Sequence, residues 1–167
     1  MDRVIAEVLK RIQERQTKMK AIPYSEQAPV PSERLLIDFG QVTLQGMTID
    51  LLLNLYQVNE ANAWVAWLLK GMSYDVHFTF QLNRNLINFI PLKMLRDWPV
   101  TFEVGSAQVV KADYQSSIGR AEIAALPDQA ILIVSPKQRL TVEAVTAMAQ
   151  KHITKQVRTD ENCIWQK

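Results

Sequence analysis

Cysteine is nearly missing from this sequence. The chain of 167 residues contains a single one, Cys163. One thiol excludes an internal disulfide and a site in which several thiolates hold a metal ion. Cys163 lies four residues before the end of the sequence, where a thiolate lacks a defined pocket. We therefore expect no catalysis by this thiol.

Long hydrophobic runs and a strong charge bias are missing as well. No apolar stretch approaches the length that spans a bilayer, and charges interrupt the first residues, which argues against a secretory signal. The 19 Lys and Arg residues oppose 17 Asp and Glu residues, for a net charge of +2. A dedicated nucleic-acid binder carries a stronger positive bias, because phosphate neutralisation supplies much of its affinity. We predict a soluble cytoplasmic protein that binds neither nucleic acid nor a membrane.

Motifs for phosphate binding, metal binding and nucleophilic catalysis are also absent. The five glycines form neither a Walker sequence nor a dinucleotide-binding fingerprint. The two histidines, His77 and His152, stand outside any HExxH arrangement, and we interpret them as an ordinary strand residue and a helix-end residue. Ser106 follows Gly105 without the second glycine of a nucleophile elbow. We therefore predict no catalytic, cofactor-binding or metal-binding residue.

The sequence begins with a pattern typical of an amphipathic helix, over residues 1–16. Its apolar residues recur at helical spacing, and charged residues fill the remaining face. These apolar residues are Met1, Val4, Ile5, Val8, Leu9 and Ile12. Residues 17–34 contain three prolines, which favour extended backbone, and we interpret this segment as a linker. The remainder, residues 35–167, is long enough for one ordinary core and is predicted to form a single domain.

The predicted domain begins with a strand over residues 35–39, and residues 42–44 continue this strand or pair with it. Thr48 and Asn59 are the predicted N-caps of two helices, because their side chains can accept hydrogen bonds from the first turn. The second helix is expected to end at Gly71.

The clearest strands lie further along the chain. Residues 75–82 alternate, which places Val76, Phe78, Phe80 and Leu82 on one face. Residues 131–134 are apolar throughout, which is typical of a strand covered on both faces. The other predicted elements are a helix begun by Pro91, strands over 100–104 and 108–111, a helix capped by Thr141 with Val145, Met148, Ala149 and His152 on one side, and a strand over 155–157. This order predicts an α/β domain with a mixed or mostly parallel sheet.

Three interpretations of the N-terminal helix remain open from its pattern. It can pack onto its own domain, lie on a membrane surface, or dock into a groove of a partner protein. Asp2, Glu7 and Glu14 dilute its positive face, which argues against the membrane surface. Trp165 presents a similar choice, because an aromatic residue so near the end either folds back or anchors a partner.

Two stretches carry a family resemblance. Residues 86–102 place Pro91, Lys93 and Pro99 among leucines ahead of a strand, and residues 140–153 form a threonine-capped helix. In these features, and in its amphipathic beginning, the chain resembles the PduM family of bacterial microcompartment proteins, which are associated with propanediol utilisation. The resemblance implies a non-enzymatic component of compartment assembly, located in a microcompartment within the cytoplasm and requiring no cofactor.

The same resemblance favours partner docking by the N-terminal helix. Short amphipathic helices joined to linkers resemble encapsulation peptides, which tie cargo to shell proteins or encapsulated core proteins. The implied docking residues are Val4, Ile5, Val8, Leu9 and Ile12. The alternative is a ligand-binding or enzymatic accessory protein of the same compartment, with a pocket at the carboxyl ends of the strands near residues 131–135. The oligomeric state is not predicted.

Overall fold

The computed structural model describes residues 2–105 and 107–158, which contain both helices and strands. Cys163 and Trp165, like Met1 and Ser106, lie outside these residues. The chain divides into two compact units, Met1–Phe80 and Gln81–Lys167.

The first unit contains four helices and three strands, and its last strand continues two residues beyond Phe80. Along the chain these are α1 (Asp2–Thr17), β1 (Met19–Pro23), α2 (Glu33–Asp38), β2 (Gln41–Gln45), α3 (Ile49–Tyr56), α4 (Ala63–Ser73) and β3 (His77–Leu82). The strands lie in the order β1-β2-β3. β1 pairs with β2 in parallel, with Met19 opposite Gln41 and Pro23 opposite Gln45.

Aromatic rings form a continuous series in the core of the first unit. Neighbouring ring centroids lie 5.2 to 6.1 Å apart along the series Tyr24, Trp64, Trp67, Phe78 and Phe80. The first three contacts are edge-to-face and the last is stacked, which are the arrangements that ring quadrupoles favour. Trp64 and Trp67 are core residues, since each is 5% exposed.

Gly71 allows α4 to approach this core closely. A Cβ atom at this position would lie 2.5 Å from Cζ of Phe78 and 2.9 Å from Cδ2 of Leu36. Both neighbours are fully buried and have no open space to move into. Gly71 lies inside α4, which continues to Ser73. The prediction that this helix ends at Gly71 is therefore wrong.

The second unit carries the remaining elements. After a 3₁₀ helix (Arg84–Phe89) these are α5 (Leu92–Asp97), β4 (Val100–Val104), β5 (Gln108–Ala112), β6 (Ser117–Ile118), α6 (Arg120–Ala124), β7 (Ile131–Val134), β8 (Arg139–Leu140), α7 (Val142–Gln150) and β9 (Thr154–Val157). Its strands lie in the order β4-β5-β7-β9. β4 and β5 are antiparallel, whereas β7 is parallel to both β5 and β9. β6 and β8 form a separate parallel pair.

The core of the second unit lies around β7, whose four residues are all buried. Leu132 and Val134 pack in a cluster with Ile118, Ile123 and Met148. Beyond β9, the buried Arg158 guanidinium donates hydrogen bonds to the backbone carbonyls of Asn88 and Ile90.

The predicted α/β class with a mixed, mostly parallel sheet is confirmed. Thr48 and Thr141 cap α3 and α7 by accepting hydrogen bonds from the backbone N–H groups of Leu51 and Ala144. The predicted helix begun by Pro91 and the strands over 100–104 and 108–111 are also present.

Three further local predictions are wrong. Residues 35–39 were predicted as a strand, but helix α2 occupies most of them, because helical spacing buries Leu36. Asn62, and not Asn59, caps α4, since its side chain accepts hydrogen bonds from the N–H groups of Trp64 and Val65. The inner face of α7 is formed by Ala144, Ala147 and Met148, whereas Val145, Ala149 and His152 are exposed.

The segment predicted as a linker, residues 17–34, contains strand β1. The expected extended backbone is present, but it is paired with β2 instead of being left open. Residues 24–32 then form no helix or strand before α2 begins. α1 is therefore joined to the rest of the first unit through a paired strand.

Candidate docking surface

One face of α1 carries five apolar side chains that the first unit does not bury. These are Val4, Ile5, Val8, Leu9 and Ile12, called the docking stripe below, and their exposed fractions range from 46% for Ile12 to 69% for Val4. They share a face because they recur at three- and four-residue intervals on a helix with 3.6 residues per turn. A contiguous exposed apolar face of this kind is a candidate interaction surface.

Charged residues beside the stripe form ion pairs within α1. Arg11 Nε lies 3.2 Å from Oε1 of Glu7, and Lys10 Nζ lies 3.9 Å from Oε1 of Glu14. Both pairs are four residues apart, a spacing that stabilises a helix by a few tenths of a kcal/mol, roughly 0.2–0.5 per pair. These local contacts support the helix without covering its apolar face.

The C-terminal end of α1 is fixed to the first unit by Arg15. Its guanidinium Nη2 donates hydrogen bonds to the carbonyl oxygens of Leu36, at 2.9 Å, and Tyr74, at 2.8 Å. These carbonyls lie in α2 and just beyond α4, and a cation is favourable near the C-terminal end of a helix dipole. The Gln41 side chain adds a hydrogen bond of 3.0 Å from Nε2 to the carbonyl of Gln16.

The backbone of Gly40 makes a close contact with this end of α1. Its N–H donates to the carbonyl oxygen of Arg15 at 2.9 Å. A Cβ atom at position 40 would lie 2.7 Å from that same oxygen and 2.7 Å from Cα of Gln16. Both contacts are to backbone, so neither can be relieved by a side-chain rotation. Only glycine lets the two segments approach this closely.

We expect Gly40→Ala to lower the free energy of unfolding by about 1–3 kcal/mol, the usual effect of an overpacked contact. Urea unfolding followed by circular dichroism measures it. Gly119→Ala is the matched control, because its Cβ would meet only the flexible Glu122 side chain, at 3.1 Å. Equal unfolding midpoints for the two variants would contradict the claim that the contact between Gly40 and α1 requires glycine.

His77 lies in the first unit and His152 in the second. His77 begins β3 with its side chain exposed, and His152 follows α7 with a positive φ of 55°. Cys163 lies outside the described residues. In the parts of the chain that the structure describes, no group of three His, Cys, Asp or Glu residues is arranged to hold a metal ion.

The carboxyl ends of β5 and β7, where the alternative interpretation places a ligand pocket, are bridged by Gln138. Its Nε2 donates to the carbonyl oxygens of Asp113, at 2.9 Å, and Gln115, at 2.8 Å. Its Oε1 accepts a hydrogen bond of 2.9 Å from the N–H of the buried Ser135. The polar groups that converge here therefore bond to one another.

Helical periodicity indicated the apolar face of α1 and the family resemblance implied its five docking residues, but neither indicated how the C-terminal end of the helix is held. The contacts of Arg15 and Gly40 join residues up to 59 positions apart, and no local pattern signals them. Ile37, which is exposed beside α1, was also missed because residues 35–39 were assigned to a strand.

A family model described as "Putative propanediol utilisation" (PDU-like) matches residues 3–154. No curated protein and no solved structure matches the chain. Among the helices of residues 2–105 and 107–158, none combines the length and apolar character needed to cross a membrane. The family match spans both units and includes the whole docking stripe.

Proposed function

Because the chain belongs to the PDU-like family of propanediol-utilisation proteins, we propose that it is a structural and assembly component of a bacterial microcompartment. Within that family we assign it to the PduM type. It acts inside the compartment, in the cytoplasm, and has no enzymatic activity and no cofactor. Its partners are shell proteins or encapsulated core proteins, which it contacts through α1.

The exposed docking stripe on a fixed helix is the observation that carries this proposal. Its five side chains are about half exposed, so their full burial would contribute roughly 4–8 kcal/mol before any cost is subtracted. Lost translational and rotational freedom removes about 4 kcal/mol or more from such a gain. A single contact is therefore weak, and many copies in one assembly strengthen the attachment.

The experiment is a pull-down from cells that make the compartment, with the full chain and a chain lacking residues 2–13. This deletion removes the stripe and keeps Arg15 and Gln16, whose hydrogen bonds reach α2 and β2. We expect shell or core proteins to be recovered with the full chain alone. Equal recovery with both chains would contradict docking through α1.

A triple substitution tests the absence of catalysis. His77→Gln, His152→Asn and Cys163→Ser replace every histidine and the cysteine, and asparagine tolerates the positive φ at position 152. We expect compartments reconstituted with this variant to have normal shells and normal cargo. A folded variant that fails to restore them, together with stoichiometric metal or small molecule in the parent protein, would favour the accessory-enzyme alternative.

A further inference from the structure

A groove runs between the last turns of α1 and helix α2. Val8 and Ile12 line one wall, Ile37 lines the other, and the space between them has a volume of about 410 Å³. Ile37 is 60% exposed although it lies on a helix whose neighbouring residue, Leu36, is fully buried. The apolar surface of α1 therefore continues onto α2.

Both walls of this groove are held by contacts within the first unit. Arg15 connects α1 to the carbonyl of Leu36 in α2. Glu33, at the start of α2, accepts a hydrogen bond of 2.6 Å from Lys70 of α4, and this contact raises the pKa of the Lys70 ammonium. The groove thus exists before any partner arrives.

Some of the charged residues at the rim of the groove form ion pairs and others do not. Three of them form ion pairs within their own helices: Glu14 with Lys10, Asp38 with Arg34, and Arg11 with Glu7. Arg15, a fourth charged residue of the groove, donates to backbone carbonyls. Lys18 also lines the groove, and its ammonium makes no ion pair with any residue in the described ranges. One end of the groove therefore presents a positive charge without a counter-ion.

We propose that this composite groove receives an amphipathic helix of a partner protein, with a carboxylate that lies against Lys18. The inference rests on the proposed function, because it takes α1 as a docking element and extends its surface to Ile37. The walls are side chains of two helices, which offer no strand edge for an extended segment to pair with. A helix satisfies its own backbone and offers only side chains, which is what this apolar groove accepts.

The test measures binding of the full chain to compartments purified from cells that lack it, by co-sedimentation over a range of concentrations. Ile37→Gln removes the apolar wall on α2 and keeps a helix-forming residue. We expect it to bind about tenfold more weakly, since an isoleucine loses its burial in the contact. Val145→Gln, at an exposed apolar position of α7, is the matched control and should bind like the parent.

Lys18→Gln tests the charge of the proposed partner. We expect about two- to fivefold weaker binding and a smaller dependence on salt concentration, as for an exposed ion pair. Lys20→Gln, at an exposed position of β1, is the control. Circular dichroism melting checks that all four variants keep the parent fold.

The outcomes separate this inference from the proposed function. If Ile37→Gln binds like the parent while the chain without residues 2–13 does not, α1 docks alone and the composite groove is wrong. If both bind like the parent, the proposed function fails as well. Unchanged binding and salt dependence of Lys18→Gln would overturn the proposal that a carboxylate of the partner lies against Lys18. Dimerisation of the purified chain that Ile37→Gln abolishes would identify a second copy as the occupant and overturn the proposal.

Discussion

Replacing Val8 and Leu9 together by aspartate is expected to release the protein from compartments. Both side chains are about half exposed on the docking stripe, so the substitution leaves the cores of the two units intact. In a docked complex each carboxylate would be buried without a counter-ion, which costs several kcal/mol. We expect at least a hundredfold weaker attachment, about 3 kcal/mol. The measurement is the amount of protein that co-purifies with compartments.

The matched control for this pair is Ala6→Asp with Gln13→Asp. It adds the same two charges to α1 at exposed positions outside the stripe. We expect this control to co-purify like the parent and both double variants to melt at the parent temperature. Co-purification of Val8→Asp/Leu9→Asp at the parent level would contradict docking through the stripe. Loss of its cooperative melting would instead show that the stripe stabilises the fold.

The second large effect concerns stability. Phe80→Ala is expected to lower the free energy of unfolding by about 3–5 kcal/mol, because it removes a fully buried ring that stacks on Phe78. This is a large fraction of the roughly 5–15 kcal/mol by which folded proteins are stable. We also expect large-to-small changes at Phe78, Ile131 and Ile133 to lower the free energy of unfolding, by about 2–5 kcal/mol.

Chemical denaturation of Phe80→Ala beside Val157→Ala gives the comparison. Val157 is half exposed at the end of β9, so its truncation should change the free energy of unfolding by less than about 1 kcal/mol. If the two variants unfold at the same denaturant concentration, the buried position of Phe80 is wrong.

The elements that could be predicted are those whose signal is local. Alternation over residues 75–82 marks β3 because one face of that strand is buried and the other is not. The apolar run of β7 reflects burial on both faces. Thr48, Pro91 and Thr141 mark helix starts through chemistry that acts within one turn.

The elements that were missed depend on distant partners. Leu35, Leu36 and Ile37 suit a strand or a helix equally, and the choice is decided by burial of Leu36 near Gly71 of α4. β1 becomes a strand only because β2, about twenty residues later, pairs with it. The docking stripe was visible as a pattern, but its wall at Ile37 follows from the placement of α2 and could not be read from periodicity.

The contacts of Arg15 and Gly40 also determine how α1 comes to be helical. Starting an isolated helix is unfavourable, because the first turn fixes several residues for a single hydrogen bond, and helices of this length are marginal in water. Here the last turn is held by the folded first unit, so a nucleus is already present and each earlier turn only adds to it. We therefore expect the helix to form from its attached end toward residue 2. In the proposed docking, the apolar face of α1 is therefore already helical when the partner binds, and no binding energy is needed to fold it.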